Sequence, residues 1–193
     1  FLTSLTATIL SSLTEIADVR SGFTALVNVR SDDGTASGLS EVGVGLKTNQ
    51  GALQSGSDLA TKQVLDAGVV TDSQVAADGA TGSTAIALSG ADNQATQTVD
   101  HTGSGSSVID MAGRVSSTAT AGAIASGGGG DNFAFTSAMA TAGLNQTING
   151  KLEGNNLVVD WNMIGQVSAD TIAANAIESA SLIQSMNLSA TLT

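Results

Sequence analysis

The stretch Leu157-Val158-Val159-Asp160-Trp161-Asn162-Met163 carries the clearest strand pattern in the chain. Every second residue from Leu157 to Met163 is large and apolar, and the residues between them include Asp160 and Asn162. Alternation with a period of two is typical of a half-buried β-strand, because successive side chains point to opposite faces of a sheet. The stretch therefore predicts a core strand and a β-rich fold around it.

The same alternation recurs on both sides of this strand. It covers residues 23–30 before the turn at 32–34, then residues 42–46, residues 133–140 and residues 186–193. Between residues 78 and 130 the chain is a run of small residues, in which short strands alternate with Gly, Asp and Ser turns. We predict a mainly β chain that forms a single β-sandwich-like domain.

Three segments favour other local structures. Residues 57–67 have a plausible helix start with Gly68 after the end. Residues 169–183 place apolar residues at helical spacing, although an extended conformation also fits them. Residues 1–19 fit either a helix or a strand, with a slight preference for helix in their second half. We therefore expect one to three short helices. Asn149-Gly150 is a strong signal for a β-hairpin turn.

The chain shows no internal repeat of fixed period between about 20 and 50 residues, so a regular solenoid is not expected. We divide it into an N-terminal segment at 1–20, a β-rich core at 21–184 and a C-terminal strand at 185–193. Residues 118–125 are nearly all Thr, Ala and Gly. Such small side chains let two sheets approach closely but specify little register.

Composition excludes several classes of function. The chain has 193 residues, 17 acidic against 6 basic side chains, and a formal net charge of −11. Phosphate backbones and anionic membranes repel such a chain, so we expect no nucleic-acid partner. No apolar stretch approaches the roughly 18 residues that a transmembrane helix needs, so we also expect no membrane span. Proline, which interrupts strand pairing, is absent. Long strands and open sheet edges are therefore compatible with this sequence.

The residues that could catalyse a reaction are few. There is no cysteine, and His101 is the only histidine, in a Thr- and Gly-rich stretch that predicts a solvated loop. The chain has no nucleophile-elbow, P-loop or dinucleotide-binding spacing, and its aspartates mostly adjoin turn residues. We predict that the protein is not an enzyme and identify no small-molecule substrate, cofactor or catalytic residue.

Calcium is the one cofactor with weak candidates. Residues 127–132 resemble one copy of the glycine-rich calcium repeat, which makes Asp131 and Asn132 possible ligands. A single degenerate copy is a weak signal, because such sites form between stacked repeats.

The features at the two ends point to self-assembly. The chain is thiol-free, acidic and rich in Ser, Thr and Gly, and we expect that an export signal preceding Phe1 has been removed. We predict an extracellular or cell-surface structural subunit that polymerises with itself by β-strand donation into a pilus-like or sheath-like filament. The alternative is a monomeric surface adhesin with acidic calcium-binding loops. The residues expected in the exchanged strands are Leu5, Ala7, Ile9, Met186, Leu188 and Leu192.

Overall fold

The computed structural model describes residues 2–7, 12–128, 132–174 and 177–192. These residues are almost entirely in β-strands, and none of them lies in a helix. The strands are β1 (Leu2–Ala7), β2 (Ser12–Ser31), β3 (Thr35–Gly79), β4 (Gly82–Gly127), β5 (Asn132–Ala174) and β6 (Ile177–Leu192). The prediction of a mainly β chain is confirmed.

All strand pairs are parallel, and the paired residues lie about 44–50 residues apart in the sequence. Thr35 of β3 pairs with Gly82 of β4, and Ser83 of β4 pairs with Asn132 of β5. Parallel strands cannot be joined by a tight hairpin, so the chain must return to its starting side before each new pairing. Each return makes one coil, and the coils stack on one another as a β-solenoid.

The central strands fold back on themselves within each coil. A straight strand of 45 residues would span roughly 150 Å at about 3.3 Å per residue. Instead, Ser73 Oγ in β3 donates to Ser40 O over 3.0 Å, and Thr61 Oγ1 donates to Gln54 Oε1 over 2.6 Å. The two arms of β3 therefore face each other, and the chain turns between them near Asp58, which has a φ of 53°.

These arms build two layers whose inner faces pack together. The first layer holds residues 2–7, 35–56, 82–103, 132–152 and 177–192, and the second holds residues 12–31, 59–79, 107–127 and 157–174. Side chains alternate between buried and exposed along both arms of β3 and β4. This alternation follows from the period of two in a strand, and its buried set faces the space between the layers.

The inner space has two chemically different halves. Near the turns that join successive coils, the core is built largely from alanine, including Ala87, Ala121 and Ala138, and we call this region the alanine-rich half. Near the turns within the coils, larger apolar residues such as Ile109, Met111 and Ile148 lie beside buried glutamines and His101, and we call this the polar half.

Glycine permits close stacking of the turns within the coils. Gly103 has a φ of +155°, and a Cβ atom there would overlap the carbonyl of Gly56 in the coil before it. Gly105 has a φ of +93°, and its added Cβ would lie 2.6 Å from Asp58 Oδ1. Side chains would therefore prevent the turns of adjacent coils from approaching each other.

Several sequence predictions on local structure are wrong. Residues 57–67, expected as a helix, belong to β3, and residues 12–19 and 169–174 are also strand. Asn149-Gly150 lies inside β5, where its residues pair with Asp100 and His101, and forms no hairpin turn. The expectation against a solenoid is wrong as well. The coils stack by parallel pairing, although most of the paired residues differ in type.

Candidate assembly edges

One end of the solenoid leaves part of a strand without a neighbour. In β3, β1 pairs with residues 49–54 and β2 pairs with residues 60–79. Residues 35–48 pair with β4 on one side, and no described strand lies on their other side. We call this segment the open edge. Apart from Lys47, its residues present backbone N–H and C=O groups that no described strand pairs with on that side, and another strand can bind groups of this kind.

A groove lies along the open edge. It has a volume of about 470 Å³ and is lined by residues 23–25 of β2 and 41–45 of β3. Phe23 is 58% exposed, although its pairing partner Thr71 is fully buried. Phe23 is exposed because, beside residues 35–48, the second layer extends one strand further than the described part of the first layer. No described strand of the first layer covers it.

The other end of the solenoid has the opposite shape. β6 pairs with residues 133–148 of β5, so the first layer here extends beyond the second. The far edge of β6 has no partner among the described strands, and neither do residues 157–174 of β5 on the corresponding side. Both layers therefore end in an unpaired parallel strand, offset from each other by one strand.

The residues predicted to exchange between subunits lie in β1 and β6. In the structure both strands pair with other strands of the same chain. Leu5 and Ala7 of β1 pair with Ala52 and Gln54, and Ile9 lies outside the described residues. Met186, Leu188 and Leu192 of β6 pair with Ala142, Leu144 and Ile148, which are all buried. The structure thus brings the two predicted groups to opposite ends of the stack, each paired within its own chain. The segment boundaries at 20 and 184 fall inside β2 and β6.

A ladder of glutamines that sequence reasoning missed connects the coils inside the polar half. Gln97 Nε2 donates to Gln50 Oε1 over 2.8 Å, and Gln146 Nε2 donates to Gln97 Oε1 over 2.7 Å. All three side chains are buried. Gly113 in the opposite layer makes room for them, because a Cβ there would lie 2.6 Å from Gln97 Oε1. The spacing of these glutamines by 47 and 49 residues is the signal that would have revealed the coil.

His101 is buried at the end of the polar half, where sequence reasoning placed a solvated loop. It is 1% exposed, with Nε2 2.7 Å from Thr61 Oγ1 and Nδ1 2.6 Å from Ser107 Oγ. Thr61 donates its hydroxyl proton to Gln54, so Nε2 of the neutral ring donates to Thr61 and Nδ1 accepts from Ser107. The pair resembles a Ser–His dyad, and both side chains are buried.

Burial sets the protonation state of His101. It lowers the pKa of the imidazole below its ordinary value, and the charge of neighbouring Asp100 opposes this only in part. The neutral ring therefore persists to lower pH in the folded chain than in the unfolded chain.

Asp58 links two coils at the turns. Its Oδ1 accepts hydrogen bonds from the backbone N–H of Ser106 over 2.9 Å and from the Ser106 hydroxyl over 3.1 Å. These two hydrogen bonds favour the ionised carboxylate and lower the pKa of Asp58. The side chain thereby helps to hold the turn of β3 against the turn of β4.

The calcium candidates are only partly described. Asp131 lies outside the described residues, whereas Asn132 begins β5, where its Nδ2 lies 3.5 Å from Gly127 O. Within the described part of the chain, no group of three or more His, Asp or Glu side chains could hold a metal ion. The described residues also include no helix that is long and apolar enough to cross a membrane.

The chain has no significant match to a protein-family model, to a curated protein or to a solved structure.

Proposed function

We propose that the protein is a structural subunit of an extracellular, self-assembling filament in which β-strands of neighbouring subunits pair. The observation that carries this proposal is the pair of unpaired sheet edges at opposite ends of one stack. Proteins that stay monomeric usually protect such edges with proline, bulges, inward charges or covering loops. This chain has no proline, and among its described residues the open edge at 35–48 has a groove rather than a covering segment.

The interior supports a passive, structural role. Its polar groups include glutamines, serines and a histidine that bond to one another or to backbone carbonyls between the layers. Such bonds hold coils in register, and side chains engaged in this way present no reactive group to a substrate. We accordingly propose a non-enzymatic protein whose partner is a further copy of itself.

Electron microscopy of the purified chain tests this function. We expect negatively stained filaments above a threshold concentration, and none from a variant that lacks residues 177–193. That variant should keep its β-sheet circular dichroism, because β3, β4 and β5 still pair with one another. Dispersed particles of the intact chain at every concentration and salt condition would refute the proposal.

Salt provides a second measurement on the same sample. Each subunit carries a formal charge of −11, so stacked copies repel one another at low ionic strength. Raising the salt from about 0.01 to 0.15 M shortens the screening length from about 30 to 8 Å. We expect this increase to lower the threshold concentration for filaments, and a rise in the threshold would contradict edge pairing between acidic copies.

The alternative of a calcium-dependent adhesin predicts a different outcome. It requires a monomer whose melting temperature rises with calcium, through residues near Asp131 and Asn132. Calcium titration followed by thermal melting, with magnesium as the control ion, distinguishes it from the filament subunit.

A further inference from the structure

The two ends of the solenoid have complementary stepped shapes. At one end β2 extends the second layer beyond residues 35–48 of the first layer, which continues there only as β1 beside residues 49–54. At the other end the first layer extends beyond the second by β6. The recess beside residues 35–48 lies in the first layer, and β6 extends this same layer at the other end. A second copy placed in the same orientation on top of the first brings these two steps together.

The number of strands in each layer allows a second copy to continue both sheets at once. Besides β1, the first layer has four segments, at 35–56, 82–103, 132–152 and 177–192. The second layer also has four, at 12–31, 59–79, 107–127 and 157–174. Because the numbers are equal, one translation of about 19 Å, four strand spacings of about 4.8 Å, continues both sheets.

We propose that copies of this chain stack head to tail, so that β6 of one copy and β2 of the next complete a coil shared by two chains. In this arrangement β6 pairs in parallel with the open edge of the next copy, and the end of β5 pairs with β2 of that copy. This inference rests on the proposed function and specifies its partner, direction and register.

The intrachain pairing fixes the register of the first layer. Ser181 pairs with Ser137, Ser137 with Leu88, and Leu88 with Glu41. The strand that follows β6 along the stack is β3 of the next copy. Ser181 of one copy therefore lies beside Glu41 of the next, and residues 177–188 lie beside residues 37–48. By the same rule in the second layer, Ser168 pairs with Thr118, Thr118 with Val70, and Val70 with Gly22. Ser168 of one copy then lies directly beside Gly22 of the next.

The shared coil also explains the exposed groove. Phe23 and residues 41–45 line an unfilled space between the layers at the open edge. β6 of a neighbouring copy would run along residues 41–45 and cover this space from the first layer. Beyond residue 188, β6 would reach residues 49–52, which β1 already pairs with. The junction therefore needs residues 177–188 of β6 and not the residues that follow.

Disulfide trapping tests the register, because the natural chain has no cysteine. We expect the double variant Glu41→Cys with Ser181→Cys to form a ladder of covalent multimers under mild oxidation. Within one chain these positions lie three strands apart, roughly 14 Å, which is too far for a disulfide. The control variant Gly45→Cys with Ser181→Cys is out of register by four residues, about 13 Å, and should cross-link at least about tenfold less.

A second pair tests the second layer. Gly22→Cys with Ser168→Cys should give the same ladder, because the shared coil joins both layers. Filaments that cross-link equally through the out-of-register control, or only through the first layer, would overturn the shared coil while leaving the proposed function intact. Absence of filaments altogether would instead refute the proposed function.

Truncation and diffraction sharpen the result. Removal of residues 189–193 should preserve both filaments and the cross-linked ladder, whereas removal of residues 177–193 should abolish both. Aligned filaments should diffract at about 4.8 Å and at a subunit repeat of about 19 Å along their axis. A subunit repeat that differs from four strand spacings would contradict the stacking.

Discussion

The alanine-rich half and the polar half of the interior hold the same two layers together by different means. In the alanine-rich half, residues such as Ala87 and Ala121 are fully buried and fill the space with methyl groups. In the polar half, Gln50, Gln97 and Gln146 bond from coil to coil. Methyl groups allow close packing but distinguish little between registers, whereas each amide must meet one particular partner. Close packing of the alanines therefore holds the two layers together, and the glutamine ladder sets the register of the coils.

We expect the largest loss of stability when the glutamine ladder is interrupted. Gln97→Ala leaves Gln50 Oε1 and Gln146 Nε2 buried without the bonds that Gln97 makes to them. Because unsatisfied buried polar groups are costly, we expect a loss of about 2–5 kcal/mol in the free energy of unfolding. Urea denaturation measures it.

A matched control for this change is Gln94→Ala. Gln94 is on the outer face, where its Nε2 bonds to Asp92 over 2.9 Å in an exposed position. Its loss should change stability by less than about 0.5 kcal/mol. Equal effects at positions 94 and 97 would show that the ladder does not hold the coils.

Overpacking tests the alanine-rich half. Ala121→Leu adds three carbons where the layers touch, and we expect a loss of about 1–3 kcal/mol in thermal or urea unfolding. Ala112→Leu, at the outer groove beside Val64 and Ile164, is the control and should cost less than about 0.5 kcal/mol. If Ala121→Leu were harmless, the layers would not be in close contact there.

The histidine gives the polar half a dependence on pH. The folded chain holds the pKa of His101 below its unfolded value of about 6.5, so the unfolded chain binds more protons just below that pH. Stability is fully present above about pH 6.5, falls as the pH drops towards the folded pKa, and then levels off.

Urea unfolding between pH 8 and pH 5 measures this dependence. His101→Gln removes the titrating ring and should remove this part of the slope. A variant that retains the wild-type slope would assign the pH dependence to other groups.

The smallest effect is expected on the outer faces. Lys62 Nζ lies 3.0 Å from Asp110 Oδ2 between adjacent coils, and both side chains are substantially exposed. Lys62→Ala should cost less than about 1 kcal/mol, and even less at high salt, as measured by urea unfolding. A larger loss would show that outer ion pairs align the coils as strongly as the interior ladder.

The sequence predicted the strands more successfully than the way in which the strands pair. Alternation over residues 23–30 and 133–140 correctly indicated strands, because the period of two is a local property of the backbone. Residues 57–67 and Asn149-Gly150 were misassigned because helix-start and hairpin signals describe isolated segments. In the structure, parallel pairing with other coils overrides both local preferences.

The candidate site shows the same division. The terminal segments with Leu5 and Leu188 were singled out by their alternation, and they do form strands at the two ends of the stack. Neither the open edge at 35–48 nor the groove beside Phe23 could be found in this way. An edge is open only with respect to the strands around it, and this depends on which coils stack.

The sequence alone determined that this chain is acidic, free of proline and cysteine, and patterned for strands along its length. These properties belong to each residue and its nearest neighbours. Only the tertiary structure decided that the strands stack in parallel, that His101 is buried, and that the two layers end one strand apart. Those features arise from pairings about 44–50 residues apart, where the paired residues share a position in the coil but mostly differ in type.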